Sequence, residues 1–196
     1  MLPPVATPET IKNSGKSASV DRPLSSRAGF TLWIAASFLL LALGGVLTSI
    51  GLSDRAWYDQ LDFPPYQPPA WVFSPTWIVI LTLLAIATHR LSPSRQAPTT
   101  SSKTGTTSNL FMGAAYLLYG MQFVLNVGWS LLFFTLRRPD AALWNIVVLD
   151  VVLLAMIVAY GRIDRPAGLM LLPYLLWLLY ATAINAWIAL HNGPFG

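Results

Sequence analysis

The sequence predicts an all-α integral membrane protein built as a five-transmembrane-helix bundle. Three observations predict it. The 196 residues are 55% hydrophobic and only 10% charged, against about 25% charged in an ordinary soluble domain. Several apolar runs reach the length of about 18 residues or more that crosses a bilayer. The segments between the runs are polar or rich in proline, which marks them as connections.

Residues 1–27 carry Ser, Thr, Pro and four bases and read as a disordered polar tail. The membrane domain is expected over 28–192. Its first span, 28–50, contains Gly44 and Gly45 with Thr48 and Ser49 following, small residues that let another helix approach closely. The loop 51–70 comes next. Within 57–77, WYDQLDFPPYQPPAWVFSPTW, the prolines forbid a helix in the first half. Trp57, Tyr58, Phe63, Tyr66 and Trp71 give this loop more ring area than a flexible linker needs. It therefore reads as an ordered aromatic lid at a membrane interface.

Span two is 71–88, with Pro75 marking a kink or a late start. The linker 91–109 is low-complexity and polar, expected to be flexible and without chemistry. Spans three, four and five are 110–136, 141–160 and 168–190, joined by short connections that favour antiparallel neighbours. A short tail, 193–196, ends the chain. With the N-terminus inside, nine bases fall in inner segments and three in outer ones. The positive-inside rule then places the N-terminus in the cytoplasm and the aromatic loop outside.

Composition excludes several chemistries. The absence of cysteine removes disulfides, thiolate nucleophiles and cysteine-ligated metals. His89 and His191 are far apart in sequence, thin material for a metal site. A net charge of +4 reads as loop charge that sets topology, with no nucleic-acid partner. Phosphate loops, nucleophile elbows and metal-ligand clusters are missing.

Two polar stripes lie inside the spans. Gln122, Asn126 and Trp129 share one helix face, as do Trp177, Ala181 and Asn185. Amides in hydrocarbon must bond either to one another, as glue between helices, or to a ligand; spacing leaves both readings open. Asp150 is the only carboxylate well inside a span. It is either a hydrogen-bonded acid facing the bundle or a functional group.

The chain resembles the TspO/MBR family, the tryptophan-rich sensory and peripheral benzodiazepine receptor proteins. The resemblance rests on Trp57-Tyr58, Pro64, Pro68-Pro69, Trp71, Phe73, Pro75 and Trp77 in and after the loop. It continues with Gln122, Leu125-Asn126, Trp129 and Phe133-Phe134, then Arg138-Pro139. It ends with Pro173-Tyr174-Leu175, Trp177, Ala181-Thr182 and Asn185. It implies a homodimeric five-helix receptor or sensor with a cavity under the first loop for porphyrin-like ligands such as protoporphyrin IX or haem. No cofactor is required. Carried over by motif position, the cavity is lined by Tyr58, Trp77, Asn126, Trp129, Trp177 and Ala181, with Gln122 and Asn185 on the same stripes. Trp57, Pro64, Tyr66, Pro68 and Pro69 belong to the lid.

The resemblance also implies two alternatives. One is a light- and oxygen-dependent porphyrin-degrading enzyme, for which Trp57 and Trp77 are the weak candidates. The other is a tetrapyrrole or sterol transporter, for which Asp150 is the only support. The membrane is the plasma membrane if the source is bacterial and the mitochondrial outer membrane if it is eukaryotic. The chain departs from the family where Phe63 and Tyr66 replace a base and a tryptophan. It departs again where Leu81 replaces a tyrosine, and where Asn145 replaces an acid that reappears as Asp150. No base follows Tyr180, so sterol recognition is not carried over.

Overall fold

A computed structural model describes residues 24–92 and 104–194. The helices are α1 (Leu24–Gly51), α2 (Arg55–Asp59), α3 (Phe73–Arg90), α4 (Thr104–Ser130), α5 (Pro139–Ile163), α6 (Arg165–Leu169) and α7 (Leu172–His191). Five stretches are long and apolar enough to cross a membrane: Ala28–Gly51, Ala70–Arg90, Leu110–Thr135, Pro139–Ile163 and Arg165–His191. The disorder expected of the tail and linker concerns residues 1–23 and 93–103, which lie outside the described residues. Residues 24–27 and 104–109 are helical, so α1 and α4 begin earlier than their apolar runs. Polar residues fit there because the helix continues past the stretch that needs hydrocarbon around it.

Prolines set the starts. Pro139, Pro166 and Pro173 stand in the first two positions of α5, α6 and α7, where a missing N–H costs nothing because that donor has no partner in the helix anyway. Pro75 falls in the first turn of α3, after a single 3₁₀ turn at Ala70–Val72. It therefore marks a late start, and no kink is needed. The fifth span is not one continuous helix as expected: α6 stops before Met170 and α7 restarts at Leu172.

The long helix α5 is central, packing on α4 and on α7. Ile146, Leu149, Leu153, Met156 and Tyr160 recur every three or four residues and are almost fully buried, the stripe a helix needs to fill a core. Opposite them lie Ile80, Leu81, Leu84 and Ala87 of α3. Leu81 is a fully buried core residue. Large apolar side chains on the rim, such as Leu117, Val124, Trp144 and Leu176, stay exposed, as lipid-facing positions do.

Each end of the bundle is tied by charge. Arg90 grips Asp164 through two bonds, Nε to Oδ2 at 2.6 Å and Nη2 to Oδ1 at 3.3 Å. At the opposite end Arg137 reaches Asp54 at 3.1 Å. The loop, the α4–α5 turn and the end of α7 therefore share one end of the bundle.

The close packing expected at Gly44 and Gly45 is only half present. A Cβ on Gly44 would meet Ser130 Oγ at 3.3 Å, while one on Gly45 would meet nothing within 4 Å. The tightest approach of α1 is at Gly51, where a Cβ would collide with the Phe134 carbonyl. That carbonyl belongs to a π-helical stretch, Leu131–Thr135, that ends α4, and Thr135 Oγ1 donates to the Leu47 carbonyl at 3.1 Å. Gly51→Ala should lower stability by about 1–3 kcal/mol, the usual cost of forcing atoms into a filled core. Gly45→Ala should change it by less than about 0.5 kcal/mol. Reversible unfolding in mixed SDS micelles compares the two.

Candidate functional site

The site is built from α3, α4, α5 and α7 beneath the loop. At its floor, the Tyr174 hydroxyl receives the Asn126 amide and donates to Gln122 Oε1 at 3.1 Å. All three residues are buried, so the amides of α4 find their partner in a phenol on α7. One turn above, Trp129 Nε1 donates to Asn185 Oδ1 at 2.8 Å, and Asn185 Nδ2 donates to the Pro139 carbonyl at 2.8 Å. Both stripes therefore act as glue. The same residues also present their ring faces and edges to open space.

Two small cavities occupy that space, of about 40 Å³ and about 50 Å³. The lower is lined by Trp77, Asn126, Trp129, Trp177 and Ala181, with Phe73 above and Ile146, Leu149 and Leu178 as the apolar wall. The upper lies under the loop, against Tyr58, Phe63, Gln67, Phe133, Phe134 and Asn185. Phe73, Trp129 and Ala181 border both, so the two form one track divided by side chains. Ring contacts frame it: Phe73 edge-on to Trp177 at 5.5 Å, Trp77 edge-on to Tyr174 at 6.0 Å and Trp129 stacked on Phe133 at 5.2 Å. The π-helical turn matters here. It carries Phe133 and Phe134, and both border the upper cavity.

The loop is held down at several points. Asp62 N–H donates to Asn192 Oδ1 at 2.6 Å, and Asn192 Nδ2 returns a bond to the Asp62 carbonyl at 3.0 Å. The Tyr66 hydroxyl donates to the Ala183 carbonyl at 3.3 Å, while Tyr180 donates to the Tyr66 carbonyl. Pro64 is buried, Pro68 half-buried and Pro69 exposed. Burial lifts the Tyr58 hydroxyl above its usual pKa, with Gln67 and Arg55 pulling the other way. Tyr58 thus stays a neutral phenol at physiological pH.

The structure brings Tyr58, Trp77, Asn126, Trp129, Trp177, Ala181 and Asn185 to the track. Gln122 sits just below it, fully buried, and lines neither cavity. Trp57 borders neither cavity; it packs against Phe133 at 6.3 Å and under the Arg137 guanidinium at 5.7 Å. Tyr66 holds the lid but does not line either cavity. Besides Tyr58, Phe63 and Gln67 are the loop residues that do, and sequence spacing gave no signal for them because a proline-rich loop has no regular period. Asp150 lies outside the track between α5 and α7, where Thr182 donates to its Oδ2 at 2.8 Å.

Comparison with known proteins adds an independent line. A model of the TspO/MBR family matches residues 33–190. The chain is 30% identical over 148 residues to the tryptophan-rich protein TspO of Chlorobaculum tepidum, covering 75% of this chain and 87% of that protein. It is 34% identical over 140 residues to the protein of the same name from Archaeoglobus fulgidus, covering 71% and 82%. It is also 28% identical over 157 residues to the translocator protein of Bos taurus, covering 78% and 87%.

The hydroxyl of Tyr174 is the shared partner of two buried amides, so Tyr174→Phe should cost about 1–2 kcal/mol by leaving both underpaired. Unfolding in SDS micelles measures it. A loss indistinguishable from zero would show that the three residues find other partners.

Proposed function

The chain belongs to the TspO/MBR family of multi-pass membrane sensor proteins, and from that premise we propose that it is a receptor for porphyrins and other flat, largely apolar molecules. The ligand seat is the aromatic track under the loop. The observation that carries this reading is the convergence of Trp77, Trp129 and Trp177 on one space that also holds the Asn126 amide. Stacked rings with a few fixed polar groups are what a planar ligand requires.

The ligand-free track is far smaller than the roughly 300–1,000 Å³ of a typical small-molecule pocket. Binding therefore moves side chains. Phe73 and Trp129, which divide the two cavities, swing aside, and the 52–69 loop rises on its clasps to Asn192 and Tyr180. A lid that must open before it closes over the ligand couples occupancy to the surface of the protein. That coupling is how a sensor reports its ligand.

The receptor is further proposed to work as a homodimer through α4. A Cβ on Gly113 or Gly120 would meet nothing within 4 Å, and Leu117 and Val124 beside them are exposed. Small residues on an open face allow a second helix to approach closely.

Protoporphyrin IX added in the dark should quench tryptophan fluorescence saturably. Trp129→Ala and Trp177→Ala should each weaken that binding by about 1–3 kcal/mol, the scale of losing an aromatic contact. Unchanged affinity in both variants would remove the ligand from this track.

A further inference from the structure

We infer that the ligand reaches the track sideways from the bilayer, through the seam between α3 and α7, and that Trp177 is the door; the inference rests on the receptor reading above and adds a route to it. On the lipid-facing side of that seam lies a groove of about 730 Å³. That is within the roughly 300–1,000 Å³ of a small-molecule pocket. Thr76 and Val79 of α3 face Leu176, Trp177 and Tyr180 of α7 across it. Trp177 also lines the lower cavity, and it is the residue that groove and cavity share. One half-buried indole therefore stands between lipid and seat. The groove's occupant is the flat ligand in transit. Such a molecule prefers hydrocarbon to water, and no charged side chain lines its way. The two hydroxyls there are engaged, Thr76 Oγ1 on the Val72 carbonyl at 2.7 Å and Tyr180 on the Tyr66 carbonyl.

The seam is also the weaker closure. α3 packs most closely on α1 and, at its inner end, rests on α6. It meets α7 through ring edges, Phe73 on Trp177 at 5.5 Å and Trp77 on Tyr174 at 6.0 Å. Trp129 is fastened by its indole N–H to Asn185. Trp177 is held, among the described residues, by the rings of Phe73 and of Tyr180 at 5.8 Å. Turning Trp177 between staggered positions breaks ring contacts, whereas lifting the lid breaks hydrogen bonds at Asp62, Asn192 and Tyr66. The rise of the lid then makes room above a ligand that has come in from the side.

The test is stopped-flow quenching of tryptophan fluorescence by protoporphyrin IX, in the dark, on the full chain in nanodiscs, with partition into protein-free nanodiscs subtracted. Val79→Phe combined with Leu176→Phe fills the groove at positions that border neither cavity. Both positions are exposed, so the fold carries larger side chains there. A doorway lies on the path and not at its end. Association and dissociation should therefore both slow by about tenfold, while the affinity stays within about twofold. Val158→Phe, at an exposed position of α5 outside the groove, should leave both rates unchanged. Unchanged rates in the groove variant, or equal slowing by Val158→Phe, overturn the inference alone. A change in one rate only would make the groove part of the seat and overturn it too. Absence of saturable binding to the wild-type chain overturns the receptor reading, and the inference with it.

Discussion

Polar side chains inside hydrocarbon must be paired, and in this protein the pairing fixes where the helices stand. Asn185 takes the indole N–H of Trp129 and gives its own amide to the Pro139 carbonyl, so one side chain joins α7, α4 and the start of α5. A turn below, Tyr174 joins α7 to α4 through Gln122 and Asn126. In a bilayer no difference in water exposure drives helices together, so such bonds and close packing decide the arrangement. They also decide which faces of Trp129 and Trp177 remain unfilled. Residues that join the helices also border the two cavities.

The second constraint is the end of α4. A regular helix through residue 136 would carry Phe133 and Phe134 on different faces, about 100° apart. The π-helical stretch Leu131–Thr135 changes that register and sets the backbone of Phe134 against Gly51 of α1. Both phenyl rings border the cavity beneath the loop. The loop is in turn fastened mainly to α7, through Asn192 and the Tyr66–Tyr180 pair. These fastenings lie on the helix that also carries Trp177 and Tyr174.

Much of this was legible in the sequence, for identifiable reasons. The five membrane stretches follow from hydropathy alone, and the two polar stripes follow from helical spacing. The path from stripes to a track needed more. Spacing shows that Asn126 and Trp129 face inward, but not that Tyr174 and Asn185 are the groups that meet them. The π-helical turn left no mark, because Leu131–Thr135 is composed like any apolar helix. Gly45 looked like a packing residue and faces open space, while Gly51, at the very end of its span, carries the closest contact. Trp57 was placed with the lid and also offered as a reactive ring. In the structure it lies in helix α2, packs on Tyr58, Phe133 and Arg137, and borders neither cavity. A short helix inside a proline-rich loop offers too few residues for its period to be read.

The most direct test of the seat is photo-crosslinking. A porphyrin bearing a small diazirine would be bound to the protein in nanodiscs and irradiated, and the labelled peptides mapped by mass spectrometry. Label on α3 near Phe73 and Trp77, on α7 near Trp177 and on the loop near Phe63 and Gln67, all lost on adding excess unlabelled porphyrin, is the result expected. Label confined to the lipid-facing sides of α1 and α4, or label that excess ligand fails to displace, would contradict it and place the ligand in the surrounding membrane.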